Sequence, residues 1–421
     1  MSGIDSTQVL FETEEIYKMS KAALAGLKVL EYAQFVSGPY CTKLLADLGA
    51  EVIKIEPPLV GDAARRREPF LDDIPHPERS GFFLFLNTSK LGITLDPDTA
   101  TGREIFLKLV EDCDILIEDN PPLLMKGRGF DYESLSKINP RLIMTSITPF
   151  GQYGPSRDYK AYHLNSYHGS GVARVLSSIL PKETPIPTKG PGFLGDMDAG
   201  LSAATATMAA LYGRLFTGEG QHIDISKQEA LMALERVEIG MYGNEGETKF
   251  STVFMQQMVG GLQRCKDGYV LITLGGDHHW EGLLHLLGDP EWAREETVQG
   301  ELGKYKYAQE INKHISEWIK DHTKEELYHR CQSVNCPIGM VTTVADLAAS
   351  KQLESRGFFG KVEHPVMGEV SCPTSPYRFS ETPHRFHHPA PMLGEHNEEI
   401  FVDRLGYSKE DLMRMRGAGI I

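Results

Sequence analysis

The chain has 421 residues, enough for two or three domains at about 150 residues each. Its 43 basic and 58 acidic residues leave a net charge of −15, which excludes a general nucleic-acid binder, since that needs a basic face to displace counterions. With 41% apolar and 24% charged residues the chain is globular, and no apolar run reaches the ~20 residues of a membrane span.

Residues 1–25 read as a short amphipathic lead-in, acidic and without the basic and apolar regions of a secretion signal, so a cytoplasmic protein is expected. Alternation predicts a strand at 27–32, a helix opened by Gly38-Pro39 and ended by Gly49, and a strand at 50–56. Strands follow at 92–96, 114–118 and 142–147, with helices at 101–111 and 132–137 between them. Strands alternating with helices imply an α/β fold whose parallel sheet is covered on both faces. From 151 to 195 Gly, Pro and Ser accumulate without period, which predicts a long ordered crossing loop. A helix at 201–216, a strand at 222–226 and a helix at 227–239 come next. A second compact unit is expected at 250–345, with a hairpin around Asp267-Gly268 and helices near 307–333. The six cysteines have no metal-ligand spacing, so reduced thiols are expected and a metal site is not.

Three short segments carry candidate chemistry. The loop Gln34-Phe35-Val36-Ser37-Gly38-Pro39 puts backbone N–H groups at a helix N-terminus, either as an anion site or as an ordinary turn. It lacks the three-glycine fingerprint of a nicotinamide site. Arg65-Arg66-Arg67, after Gly61-Asp62, is either a phosphate clamp or a solvated loop. In Gly195-Asp196-Met197-Asp198-Ala199-Gly200, spacing alone favours helix capping, while the functional reading makes Asp196 a nucleophile on a glycine-flanked turn.

Taken together these segments resemble the class III CoA-transferases, the carnitine/formyl-CoA transferase family. The matching stretches are GLKVLEYAQFVSGPYCTKLLADLGAEVIKIE (26–56), Gly61-Asp62-Ala63-Ala64-Arg65 and FFLFLNTSKLGITLD (82–96). They continue through Asn139-Pro140-Arg141, the loop 149–155, Asp196 with Gly200, the turn 217–221 and the loop 390–396. The resemblance implies a large Rossmann-like CoA-binding domain at 26–245, a small α+β domain inserted at 250–345, and a crossing linker that returns to the large domain at 346–421. It further implies an interlocked ring-like dimer, either of this chain or with a related chain. It makes Asp196 the nucleophile, with no metal or prosthetic group and a CoA thioester as substrate. Phe35, Val36, Ser37, Lys54, Arg65, Arg66 and Asp119 are then candidates for CoA, and Lys90 and Lys126 weaker ones. Gln34, Tyr162 and His163 are candidates for substrate, and Gly260 and Gly261 for an oxyanion site.

The chain departs from the family pattern in several places. Leu91 stands where a basic residue is usual, and Thr148 where some relatives carry lysine or serine. Asp119, inserted into the CoA-loop segment Glu118-Asp119-Asn120-Pro121-Pro122, adds a charge that repels phosphates. The glycine-rich loop of the formyl-CoA enzymes is reduced to Gly260-Gly261, which disfavours formyl or oxalyl specificity. Tyr162 occupies the place of the histidine that an acyl-CoA racemase needs, with His163 displaced by one and expected to point elsewhere. A carboxylate nucleophile suits a transferase because its acyl product, an anhydride, conserves the transfer potential of the thioester. Succinyl-CoA is the expected donor and an aromatic or branched dicarboxylic acid the expected acceptor. The alternative is a silent CoA-binding subunit of a hetero-oligomer.

Overall fold

The computed structural model describes residues 22–177, 187–233, 236–246, 258–295, 298 and 300–421. Short apolar runs closed by tight links form strands β1 (Lys28–Tyr32), β2 (Glu51–Glu56), β3 (Lys90–Thr94), β4 (Ile115–Glu118), β5 (Ile143–Thr148) and β6 (Gln221–Ser226). They make one sheet of order β3-β2-β1-β4-β5-β6 in which every neighbouring pair is parallel. The winding reverses between β1 and β4, and ligands of such sheets sit outside the carboxyl ends of the strands at that reversal.

Helices α1 (Ser37–Ala46), α2 (Ala100–Asp112), α3 (His163–Gly169), α4 (Leu194–Thr217) and α5 (Lys227–Met232) belong with the sheet. Because successive strand residues point to opposite faces, Val29, Val52, Ile115 and Ile143 bury one side with Cys41 of α1 and Ala203 of α4. Leu30, Ile55, Leu116 and Met144 bury the other with Phe106 of α2. The C-terminal segment joins that second core through Ile400, Phe401, Met415 and Ile421, and the Asp96 amide donates to the Ile420 carbonyl at 2.7 Å.

The chain divides into two compact units. The first comprises the described parts of Met1–Ala173, Lys189–Arg236 and Ser355–Ile421, the second those of Arg174–Thr188 and Val237–Glu354. The second has an antiparallel sheet, β7 (Gly260–Cys265), β8 (Gly268–Thr273) and β9 (Ile338–Met340). Helices Ala308–Ile319 and Lys324–Gln332 cover it, with Ile272, Ile311, Ile315 and Leu327 in the core. The first unit also has a hairpin, Phe359–His364 with Gly368–Pro373, where a crossing loop was expected.

The expected strands of the parallel sheet recur within a few residues. Besides the hairpin, two stretches differ. The segment 151–195, expected as a loop, contains α3 and the helix Val172–Ser177, while 178–186 lie outside the described residues. Helix α4 begins at Leu194 rather than 201, so Asp196 lies in its first turn and not on a preceding one. An acidic residue there is favoured by the helix dipole. The glycines of this segment serve close packing instead: a Cβ on Gly195 would lie 2.7 Å from Leu231, and one on Gly200 2.6 Å from the Ser37 carbonyl oxygen.

Candidate active site

The loop after β1 is held by carboxylates. Asp119 Oδ1, just past β4, accepts the Gln34 amide at 3.0 Å, and Asp62 accepts the Phe35 amide at 2.9 and 3.2 Å. Phe35 has φ 70°, a left-handed conformation that costs a non-glycine residue about 1–3 kcal/mol, so these bonds maintain a strained turn. The amides of Gln34 and Phe35 are thus already engaged, so of the two readings open for this loop the ordinary turn describes these two groups. The Phe35 ring packs edge-on to Phe193 at 4.7 Å, with the Arg67 guanidinium 5.4 Å from its centroid.

Asp196 is only 4% exposed. Its Oδ1 accepts from Lys227 Nζ at 2.9 Å and from Ser37 Oγ at 3.3 Å, and among the described residues no hydrogen bond reaches Oδ2. Ser37 is the first residue of α1 and Lys227 the first of α5, so three helix starts converge on one carboxylate. A lysine in a first turn opposes the helix dipole, and Asp196 offsets that cost. Ser226, just before Lys227, is the register partner of Thr148, so a cation stands one residue beyond the neighbouring strand end. Sequence reasoning missed Lys227; its one signal was a basic residue at a helix start where an acidic one is favoured.

His163 does not point elsewhere. Its Nε2 accepts the amide of Gly195, the residue before Asp196, at 3.2 Å, so the neutral ring carries its proton on Nδ1. Burial lowers its pKa, with Asp196 opposing and Lys189 and Lys227 adding to the drop. Tyr162 precedes α3 and is 81% exposed. Burial raises Asp119 to about 7, with Lys227 pulling it back, and raises the adjacent Glu118 to about 7.

Several expected CoA ligands are committed elsewhere. Lys54 is fully buried, its ammonium 2.7 Å from Glu31 and 2.7 Å from Asp62. Arg65 is fully buried too, paired with Glu56 and Glu78. Lys90 bonds the Pro39 and Leu86 carbonyls, Asn87 and Glu31. A basic residue is buried only with a counter-charge, and these cations have theirs inside the protein. Val36, 1% exposed, packs with Ala64 and Leu84. Arg66 remains exposed, donating to the Val60 carbonyl at 2.7 Å. Gly260 and Gly261 lie in β7 of the second unit, where the Gly260 amide donates to Asn312 Oδ1 at 2.8 Å and is no free oxyanion donor.

At the carboxyl ends of β1, β2 and β4 a cleft of ≈ 490 Å³ is lined by Tyr32, Gln34, Pro57, Leu59, Asn120 and Arg128, among others. Arg128 pairs with Asp98 at 2.5 Å. Among the described residues no cluster of three His, Cys, Asp or Glu side chains is placed for a metal ion, and no helix is long and apolar enough to cross a membrane.

The model of CoA-transferase family III matches residues 24–397. The chain belongs to that family. Formyl-CoA:oxalate CoA-transferase of Afipia carboxidovorans is 30% identical over 427 residues, covering 95% of this chain and 97% of the relative. The enzyme of the same name from Rhodopseudomonas palustris strain BisB18 is 29% identical, over 95% of this chain and 97% of its own. A CAIB/BAIF family protein from Brucella suis superposes with TM-score 0.81 at 29% identity, over 91% of this chain and 99% of that one. Rv3272 from M. tuberculosis, at 24% identity and TM-score 0.76 over 89% and 98%, shares the fold. This family III member is a transferase enzyme with CoA thioesters as substrates, and its six-stranded parallel sheet is the expected α/β architecture.

Proposed function

We propose that this chain moves CoA from an acyl-CoA donor to a carboxylic acid through covalent chemistry at Asp196. The observation that carries the reading is a carboxylate near the reversal point of the sheet with Oδ1 doubly bonded and Oδ2 left without a hydrogen bond. Oδ2 attacks the donor thioester, giving a mixed anhydride and CoA thiolate. The thiolate then attacks the aspartyl carbon, the donor acid leaves, and the acceptor carboxylate reverses the sequence. Every step exchanges one strong acyl donor for another. Gln34, Phe35, Arg66 and the cleft over β1, β2 and β4 are assigned to CoA, with Arg67 and Arg128 added, and Tyr162 and His163 to the acyl group. His163 is fixed by the Gly195 amide, which opposes its use as the second proton-transfer group of a racemase.

The donor and acceptor follow from two considerations. The aromatic and imidazole groups of α3 support succinyl-CoA with an aromatic or branched dicarboxylic acid as the first pair. The names of the relatives favour formyl-CoA and oxalate as the second pair. A small domain inserted near 250–345 and an interlocked homodimer or heteromer complete the proposal. The exposed stripe Leu201, Tyr212, Leu215 and Phe216 on α4 supports a covered face.

Incubation with each acyl-CoA, quenching with hydroxylamine and peptide mass spectrometry is the test. The expected outcome is a hydroxamate on Asp196. Modification at another carboxylate, or full turnover by Asp196→Ala, would sink the assignment, and activity of this chain alone would exclude an obligate silent subunit.

A further inference from the structure

We propose that Lys227 and Ser37 form the oxyanion site for the reactions at the carboxyl carbon of Asp196 itself, so that Oδ2 alone attacks and departs while Oδ1 stays. The inference rests on the aspartyl reading above and adds which oxygen reacts and what stabilises the charge.

The two donors come from different helices and meet on the same atom: Lys227 Nζ at 2.9 Å and Ser37 Oγ at 3.3 Å from Oδ1. Both are anchored. Ser37 is fully buried, and the Gly200 turn of α4 is pressed so close that a Cβ would lie 2.6 Å from the Ser37 carbonyl. Lys227 starts a helix capped by Ser226, and Leu231 of that helix packs on Gly195.

The electron accounting shows why these contacts matter. An Oδ2 lone pair forms the new C–O bond to the donor acyl carbon, the C–S bond breaks, and its pair goes to the CoA sulfur. Asp196 has then lost its negative charge, and Lys227 its counter-charge. When the thiolate attacks Cγ, the π pair moves onto Oδ1, which becomes an oxyanion beside an ammonium and a hydroxyl. Collapse breaks Cγ–Oδ2, and the donor acid leaves as a carboxylate carrying that oxygen. The acceptor carboxylate next attacks Cγ, Oδ1 again takes the charge, and thiolate is expelled. Thiolate attack on the acceptor acyl carbon frees Asp196 with an acceptor oxygen in the Oδ2 place. No proton moves. Lys227 and Ser37 bind the tetrahedral states more strongly than the neutral anhydride or thioester, which is the condition for catalysis.

The test follows the oxygen atoms. The enzyme is run for many turnovers with succinyl-CoA and fully 18O-labelled succinate, and separately with formyl-CoA and labelled oxalate, and the Asp196 peptide is weighed. The expected result is a single heavy oxygen that never becomes two. Lys227→Met, freeing the carboxylate to rotate, should admit the second heavy oxygen and slow exchange by about 10²–10³-fold, the usual loss for one oxyanion donor. Two heavy oxygens in the wild type would overturn the inference while leaving the aspartyl reading intact. Turnover with no heavy oxygen at Asp196 would remove the reading beneath it. A measurement without turnover guards against inactive pairs: 13C-methylated lysine spectra of the free enzyme should show the Lys227 resonance move in Asp196→Ala, and an unmoved resonance would also overturn the inference.

Discussion

Replacing Arg65 by alanine is expected to cost stability and leave CoA affinity unchanged. The guanidinium donates from Nε and Nη2 to the two oxygens of Glu56 at 2.7 Å each, from Nη1 to Glu78 at 2.7 Å, and from Nη2 to the Pro391 carbonyl at 2.9 Å. It also lies 3.8 Å from the Phe83 ring centroid. It therefore ties the end of β2, the 74–79 loop and the C-terminal segment together within the first unit. Removing one partner of a buried, hydrogen-bonded pair costs about 3–5 kcal/mol, because the carboxylate left behind stays desolvated. Glu56 retains the Asp62 amide at 2.8 Å, which moderates the loss toward the lower end. At ~2.1 cal/mol/K of unfolding entropy per residue, a unit larger than ~250 residues shifts by under ~2 °C per kcal/mol, so the melting temperature should fall by roughly 5 °C. The drop should be nearly the same at low and high salt, since buried pairs are little screened. Calorimetric melting at two ionic strengths, with CoA titrated where both proteins are folded, checks this. An unchanged melting temperature with a salt-dependent loss of CoA affinity would refute the argument and return Arg65 to the phosphate site.

Glu118 supplies a pH signature. Burial raises its carboxyl from 4.5 to about 7, so the folded protein binds the proton more tightly than the unfolded chain, and stability is lost as pH rises through that window. The full loss is about 3 kcal/mol, and Glu118→Gln should match the wild type below pH ~5 and exceed its stability above pH ~7. A difference independent of pH would contradict the assigned cause. Gly200→Ala places a Cβ 2.6 Å from the Ser37 carbonyl and 3.2 Å from the Tyr40 ring. It should destabilise by about 1–3 kcal/mol and slow exchange as Ser37 is displaced from Asp196, whereas wild-type melting and rate would argue against tight α1–α4 contact. Asp196→Ala should abolish CoA exchange, and Asp196→Asn should be silent at first and regain activity as deamidation restores the carboxylate; prompt full activity in either variant would exclude Asp196 as nucleophile.

The parallel sheet was legible in the sequence because strand-forming runs and Gly-closed links are local signals: β1, β2, β4, β5 and β6 need only a few neighbouring residues to declare themselves. Asp196 was singled out as the candidate nucleophile by the family's motif, since spacing alone favours a helix cap there. The start of α4 was misplaced because Gly195 and Gly200 resemble turn residues until Leu231 and Ser37 are seen against them. The roles of the cations were decided by tertiary structure. Lys54, Arg65 and Lys90 look like phosphate ligands in a list of basic residues, yet the sheet and the turn after β2 bring Glu31, Glu56 and Asp62 within 3 Å of them. Lys227, unremarkable in the chain, meets Asp196 from 31 residues away because α4 and α5 pack together. A charge in a sequence carries no record of its counter-charge. Only the winding of the chain determines whether it is neutralised in the core or set, like Lys227, against a carboxylate such as Asp196.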